Sequence, residues 1–431
     1  MRAEEMARPF GFWMATALVV GGMVGAGIFV MPAQLAPFGA AGVIAWLVAG
    51  AGAMMIAWVL SRLTAARPQA TGLIAICAEA MGPMAGVVIG WSYWVATCAA
   101  NAILAITTVR YLSVFLPALQ ASPLWQALAA TLVLTLITLL NLNGAKASGW
   151  FQLLTTILKM MPLVAVALIL AVLVARGGTA FSAQGRPAFD AAQITPALAL
   201  VFFALVGFEG AGVVAERVRD PARTVVRATL AGLGVTAVIY VIVCTGIIYA
   251  LPQGEVAGSS APIALFVQHF AGASAGMVVA AFAMIAALGC LNGWVLVQGE
   301  VPLGMARDGL LPAWFARTTS RDVPVRGLVL SSICSAVLIL SNAQRDTAGL
   351  LDFMLRLTAI TAIGIYVGAC IAALRFGTAR KAAIISLIFC GWLCIGAGWE
   401  ADAWSVALMA TAVPLYWLRP REAAITGPVL R

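Results

Sequence analysis

Long apolar runs follow one another along nearly the whole chain, separated by short segments that hold most of the charge. Twelve runs approach or exceed the ~17–25 residues that a helix needs to cross a bilayer. They fall at 11–36, 41–62, 83–109, 123–143, 151–175, 194–215, 227–251, 274–305, 326–342, 349–374, 381–398 and 402–418. The pattern predicts an all-α integral membrane protein of 12 transmembrane helices, with no room for a separate water-soluble domain. The first run, GFWMATALVVGGMVGAGIFVMPAQLA, is interrupted at Gly21-Gly22 and again at Gly25-Ala26-Gly27. Glycine costs a helix about 1 kcal/mol relative to alanine, so this spacing predicts backbone that unwinds at mid-depth. Unwound backbone is viable in a membrane only inside a bundle, where it lines a cavity. The sixth run repeats the device as Gly207-Phe208-Glu209-Gly210-Ala211-Gly212. Two Gly-interrupted runs, one in each half, point to the binding site of a transporter; close helix packing through small residues is the alternative.

Each interrupted run opens a group of five. The expected organisation is therefore a cytoplasmic N-terminus (1–10), a first five-helix repeat (11–175) and a second, inverted one (194–374). Two additional helices (381–418) and a cytoplasmic C-terminus (419–431) complete it.

Composition narrows the class. The chain is 63% hydrophobic and 10% charged, with a mean hydropathy of +1.03, which excludes an ordinary soluble globular domain. With the N-terminus inside, 19 of the 25 Lys and Arg residues fall in inner segments, and only Arg176, Arg186 and Arg345 in outer ones. That bias predicts a multi-pass protein of a bacterial inner membrane with both termini cytoplasmic. It also accounts for the net charge of +9 without any nucleic-acid partner. Arg2 and Arg8 precede a long apolar run without a clear cleavage site, so the first span reads as retained rather than as a signal peptide. Eight scattered cysteines without a CxxC pair and a single histidine, His269, imply no disulfide framework, no metal and no cofactor.

The chemistry expected of the breaks is electrostatic. Half-helix N-termini present N–H groups to an anion, and half-helix C-termini present carbonyls to a cation. Gly25, Ala26 and Gly27 are placed to receive a carboxylate, and the carbonyls near Met23, Phe203 and Val206 to receive an amine. Glu209 lies in the second break, where an acid marks an ion or proton path or, alternatively, anchors a neighbouring span. Lys159 in span 5 reads equally as a cation beside the breaks, replacing a coupling sodium, or as a snorkelling interfacial lysine. Asp352 and Arg356 are spaced for an i, i+4 ion pair, and Glu79 and Glu300 read as interfacial. Trp294 could hold a cationic side chain against its ring face, with Asn101 bonding the end of that side chain. Tyr93, Trp94, Phe202 and Phe203 are further aromatic candidates.

Three stretches carry a family resemblance: GGMVGAGIFVMPAQLA in span 1, FFALVGFEGAGVVAERVRDPARTV from span 6 onward, and LGCLNGWVLVQGEVPLGMARDGLLP in span 8. With these the chain resembles the amino acid–polyamine–organocation superfamily, which implies the leucine-transporter type of 5+5 inverted repeat with helices 1 and 6 broken. Within it the chain is similar to bacterial arginine/agmatine antiporters and their putrescine and lysine/cadaverine relatives. The resemblance implies that Asn101 and Trp294 hold a cationic side chain and that Thr358 touches the substrate. Tyr93, Glu209 and Tyr366 correspond to gate residues. Three positions depart from the pattern: Ala26 stands where those antiporters have serine, Phe203 where they have a gating tryptophan, and Lys159 instead matches the lysine of proton-coupled permeases.

The function implied is secondary active transport by alternating access, exchanging a cationic amino acid for its amine product. A proton-coupled permease or exporter of neutral amino acids is the alternative, and a transporter-like sensor a more distant one. No Ser/His/Asp set, metal cluster or phosphate loop suggests an enzyme. The partners implied are an amino acid or amine, the lipid bilayer and, as an open alternative, a second copy of the chain in a homodimer.

Overall fold

The computed structural model describes residues 11–67, 70–143, 155, 158–183, 189–209, 221–320, 323–341 and 347–418. Both expected terminal segments, 1–10 and 419–431, lie outside the described residues, as do Gly210, Ala211 and Gly212 of the second break. The described residues are all-helical. In chain order the helices are α1 (Phe12–Met23), α2 (Ala26–Leu35), α3 (Ala40–Ala66), α4 (Leu73–Met81), α5 (Pro83–Leu112), α6 (Pro123–Leu142), α7 (Met161–Ala175), α8 (Thr179–Ala183) and α9 (Ile194–Leu205). They continue as α10 (Pro221–Ala250), α11 (Gln253–Gly258), α12 (Pro262–Ala271), α13 (Ala273–Arg307), α14 (Val325–Ser341), α15 (Thr347–Arg375), α16 (Arg380–Ala397), α17 (Trp399–Ala410) and α18 (Ala412–Trp417). Among the described residues seven helices are long and apolar enough to span a bilayer, and the α1–α2 pair, bent by 48°, makes an eighth candidate. The chain is a multi-pass membrane protein.

Local chemistry sets where the helices start and stop. Pro83, Pro123 and Pro262 occupy first-turn positions, where the missing N–H is no loss, and Ser122 caps α6 by accepting from Leu124 N at 3.2 Å. Span 5 is interrupted: Lys159 and Met160 form a turn before Pro162 enters α7. Span 12 is likewise divided at Thr411, because Pro414 has no N–H to donate back to the Ala410 carbonyl.

Which helices lie inside follows from their polar content. α5 carries Ser92, Thr97, Asn101, Thr107 and Thr108, all buried. Small polar residues of this kind face protein, not lipid, and α5 runs through the centre of the bundle against α13 and α15. α6 is the reverse, with Leu124, Leu128, Leu132 and Leu136 exposed along one stripe, the face that lipid covers.

Two short helices unforeseen in the pattern precede the long helices α5 and α13. α4 ends at Gly82 (φ 92°, ψ 164°) and α12 at Gly272 (φ 92°, ψ 164°), the same left-handed hinge twice. Four residues beyond each hinge a second glycine seats the short helix on the long one. A Cβ on Gly86 would fall 2.6 Å from Ala78 Cβ, and one on Gly276 2.6 Å from Gln268 Cβ. In each case the residue met lies four positions before the hinge.

At one face of the bundle Arg356 binds Asp352 (Nε to Oδ2 2.9 Å) and donates to the carbonyls of Pro196 (3.2 Å) and Gly396 (2.9 Å). It therefore ties α15 to the start of α9 and the end of α16. Arg356→Met is expected to cost about 2 kcal/mol through these charge-assisted bonds, measurable as a lower melting temperature in detergent. An unchanged melting temperature would show the clamp to be without structural value.

Candidate functional site

The first break is two residues wide. α1 ends at Met23, Val24 takes an extended conformation (φ −70°, ψ 95°), and α2 restarts at Ala26 with no side-chain cap at Gly25. The start of α2 is a half-helix N-terminus, and its Ala26 N–H meets the Cys290 sulfur. In the second break, α9 ends at Leu205, Val206 is extended and Gly207 turns left-handed at φ 110°. The two breaks touch: a Cβ on Gly207 would lie 3.0 Å from the Gly22 carbonyl oxygen. Gly27 faces Ala204 just as closely.

A small cavity of about 40 Å³ opens at this junction. It brings together seven of the residues expected to contact substrate: Met23, Ala26, Gly27, Phe203, Val206, Trp294 and Thr358. Tyr93 lines it as well. Thr97, Cys290 and Leu104 also line it and were not foreseen, since alone they read as ordinary helix packing. The hydroxyls point their hydrogens away: Tyr93 donates to Glu209 at 3.1 Å, Thr97 to the Trp94 carbonyl at 2.7 Å and Thr358 to the Met354 carbonyl at 2.8 Å. What these three oxygens offer the cavity is therefore acceptor capacity. None of the lining residues is a carboxylate.

Asn101 is fully buried beside the cavity rather than in its wall. Its Nδ2 donates to Gln298 Oε1 at 2.7 Å, and its Oδ1 has no hydrogen-bond partner. The Met23 carbonyl, expected to receive an amine, accepts from Tyr240 Oη at 2.8 Å, and the Phe203 carbonyl accepts from Val206 N at 3.1 Å. Each keeps one lone pair. Tyr240 sits on α10, and nothing in its surrounding apolar sequence marks it as a partner of the break.

Lys159 is buried, and its Nζ donates to the Gly21 carbonyl at the end of α1. A cation there meets the negative end of a half-helix, beside the first break. Glu209 receives three donors: Tyr93 on Oε1 at 3.1 Å, and Tyr366 and Gly207 N on Oε2 at 3.2 Å each. Tyr366 lies behind the cavity, stacked on Phe208 with ring centroids 5.3 Å apart. Outside the spans, at the opposite face from Arg356, Thr71 donates to the Asp308 carboxylate at 3.0 Å, Arg67 pairs with Glu79 and Arg375 donates to the Ala80 carbonyl at 2.6 Å. Partial burial raises the Asp308 carboxyl above its ordinary range, with the Thr71 hydroxyl opposing the rise.

The cavity therefore sits where the two helix breaks face each other, with Met23, Ala26 and Gly27 from the first and Phe203, Ala204 and Val206 from the second. The chain belongs to the amino acid permease family, whose model it matches over residues 10–413, within the amino acid–polyamine–organocation superfamily. It is 32% identical over 371 residues to a Bacillus subtilis (strain 168) protein assigned to arginine/ornithine antiport, covering 79% of this chain and 78% of that one. It is 31% identical to the cadaverine/lysine antiporter of Escherichia coli K12 over 80% of this chain and 77% of the relative. It is also 28% identical to the putrescine transporter of the same strain, over 85% and 83%. These relatives are transporters, not enzymes.

Proposed function

We propose that the chain is a secondary active transporter that exchanges a cationic amino acid for its amine product by alternating access, with arginine and agmatine as the first pair to try. The observation that carries this is the polarity of the cavity wall. Tyr93, Thr97 and Thr358 spend their hydrogens elsewhere and Trp294 adds an aromatic face, so the wall favours a solute rich in donors and positive charge. The half-helix ends at Ala26 and Val206 would hold the carboxylate and amine of the amino acid head. Asn101 and Trp294 would hold its cationic end, and Tyr93, Glu209 and Tyr366 would gate the passage. The relatives that carry arginine, ornithine, lysine or diamines support the substrate class.

In the architecture this implies, the helices form 12 spans as two inverted five-helix repeats plus two, of the leucine-transporter type, in a bacterial inner membrane with both termini cytoplasmic. The paired hinges at Gly82 and Gly272 support the repeat, since they occupy corresponding third spans. A homodimer is compatible with this arrangement.

The test is uptake of labelled arginine into proteoliposomes preloaded with agmatine, putrescine, arginine, leucine or nothing, with and without an inward proton gradient. Uptake only against internal amine or arginine is the expected result. Trp294→Leu should raise KM for arginine by roughly 2- to 30-fold, the range of a cation–π contact, and an unchanged KM would remove Trp294 from the site. The bond from Lys159 to the Gly21 carbonyl favours one second reading, a proton-coupled permease or exporter of neutral amino acids with Lys159 and Glu209 as proton carriers. Leucine uptake into empty vesicles under the gradient would select it.

A further inference from the structure

A chain of side-chain hydrogen bonds runs from the cavity's edge through four helices: Asn101 on α5, Gln298 on α13, Ser332 on α14 and Thr138 on α6. Its direction follows from counting hydrogens. Thr138 has one hydroxyl hydrogen and donates it to the Leu134 carbonyl at 2.8 Å. The 2.8 Å contact between Thr138 Oγ1 and Ser332 Oγ must then be donated by Ser332. With that hydrogen spent, Ser332 can only accept from Gln298 Nε2, at 3.0 Å. The Gln298 amide is thereby fixed with Oε1 toward Asn101, which must offer its Nδ2, at 2.7 Å. Asn101 Oδ1 is left as the open acceptor at the end of the chain, fully buried and without a partner. Asn101 stands one turn beyond Thr97 and three residues before Leu104, and Gln298 stands one turn beyond Trp294; all three neighbours line the cavity.

We infer that Gln298 is a positioning residue for substrate selection: the polarised chain from Leu134 to Gln298 holds the Asn101 amide with its oxygen free, so that Asn101 accepts from a cationic side chain and disfavours a neutral isostere that would present a carbonyl there. This rests on the cationic reading above and adds to it the device that sets which end of the amide the solute meets. An asparagine free to flip would offer donor or acceptor equally and would discriminate poorly between a guanidinium and a urea. The start of the chain, Thr138, packs on α6 and is no part of the cavity wall, so its hydroxyl can matter to selection only through polarity.

The experiment measures inhibition of labelled substrate uptake by arginine against citrulline and by lysine against norleucine, in the full-length protein. The variants are Gln298→Met, Thr138→Val and Thr138→Ser. Gln298→Met frees the Asn101 amide, and Thr138→Val lets Ser332 turn its hydrogen to Gln298. Each should lower the arginine-to-citrulline preference about tenfold, the weight of one net hydrogen bond, mainly through KM with kcat less affected. Thr138→Ser, which keeps the hydroxyl, should keep the wild-type ratio. If Gln298→Met fails to insert, Thr138→Val and Thr138→Ser carry the test. A wild-type preference that survives in Thr138→Val overturns the inference and leaves the cationic reading standing. A wild-type protein that does not distinguish the cationic from the neutral member of either pair overturns both.

Discussion

Gly27→Ala should reduce exchange to below about a tenth of wild type while the protein still inserts and elutes as a single folded species. The added Cβ would sit 2.6 Å from Ala204 Cα and 2.7 Å from Ala204 Cβ. Both are nearer than van der Waals radii allow, and one of them is backbone, so no rotamer change relieves the overlap. α2 and α9 must move apart, at the ~1–3 kcal/mol typical of overpacking. That movement falls where the two half-helix ends meet, which on the proposed reading must stay in register to hold both ends of an amino acid head. A cost of about 1.4 kcal/mol in the competent geometry is already a factor of ten. Adding Ala204→Gly removes the facing methyl but leaves the overlap with the α9 backbone, so the double variant should recover only part of the loss. Wild-type uptake by Gly27→Ala alone would show that the breaks need not touch.

Much of this site was legible because glycine is costly in a helix. Gly25-Ala26-Gly27 and Gly207 had to mean something in a membrane span, and both mark helix ends that line the cavity. Trp294 was marked by its aromatic face and Thr358 by the family resemblance, and both line it too. Other parts were illegible for physical reasons. Tyr240 reaches the Met23 carbonyl and Gln298 reaches Asn101 across sequence separations of 217 and 197 residues. Such pairings depend on how helices are arranged around each other, which hydropathy does not encode. The short helices α4 and α12 fell below span length, so an apolar-run criterion passed over them. A signal did exist: Gly82-Pro-Met-Ala-Gly86 and Gly272-Ala-Ser-Ala-Gly276 share the same spacing, and the structure gives both the same hinge.

Substitution at Glu209 should have the other large effect, and its size should depend on what replaces the carboxylate. The two oxygens gather donors from Tyr93 on α5, Tyr366 on α15 and the Gly207 N–H of the break itself. Glu209→Ala leaves all three buried donors without their acceptor, at about 1–3 kcal/mol for each left unmade, and exchange should fall about 100-fold or more. Glu209→Gln keeps an oxygen for two donors, and a tyrosine hydroxyl can turn to accept from the new amide, so it should keep more than about a tenth of wild-type exchange. Tyr366→Phe and Tyr93→Phe each remove one donor and should cost about tenfold. In the Glu209→Ala background the same changes should cost little, because the bonds they delete are already gone. This non-additivity separates a shared anchor from three independent contributions. If Glu209→Gln were as inactive as Glu209→Ala, the charge itself and not the anchoring geometry would be what transport requires. The proton-coupled reading would then gain over simple exchange.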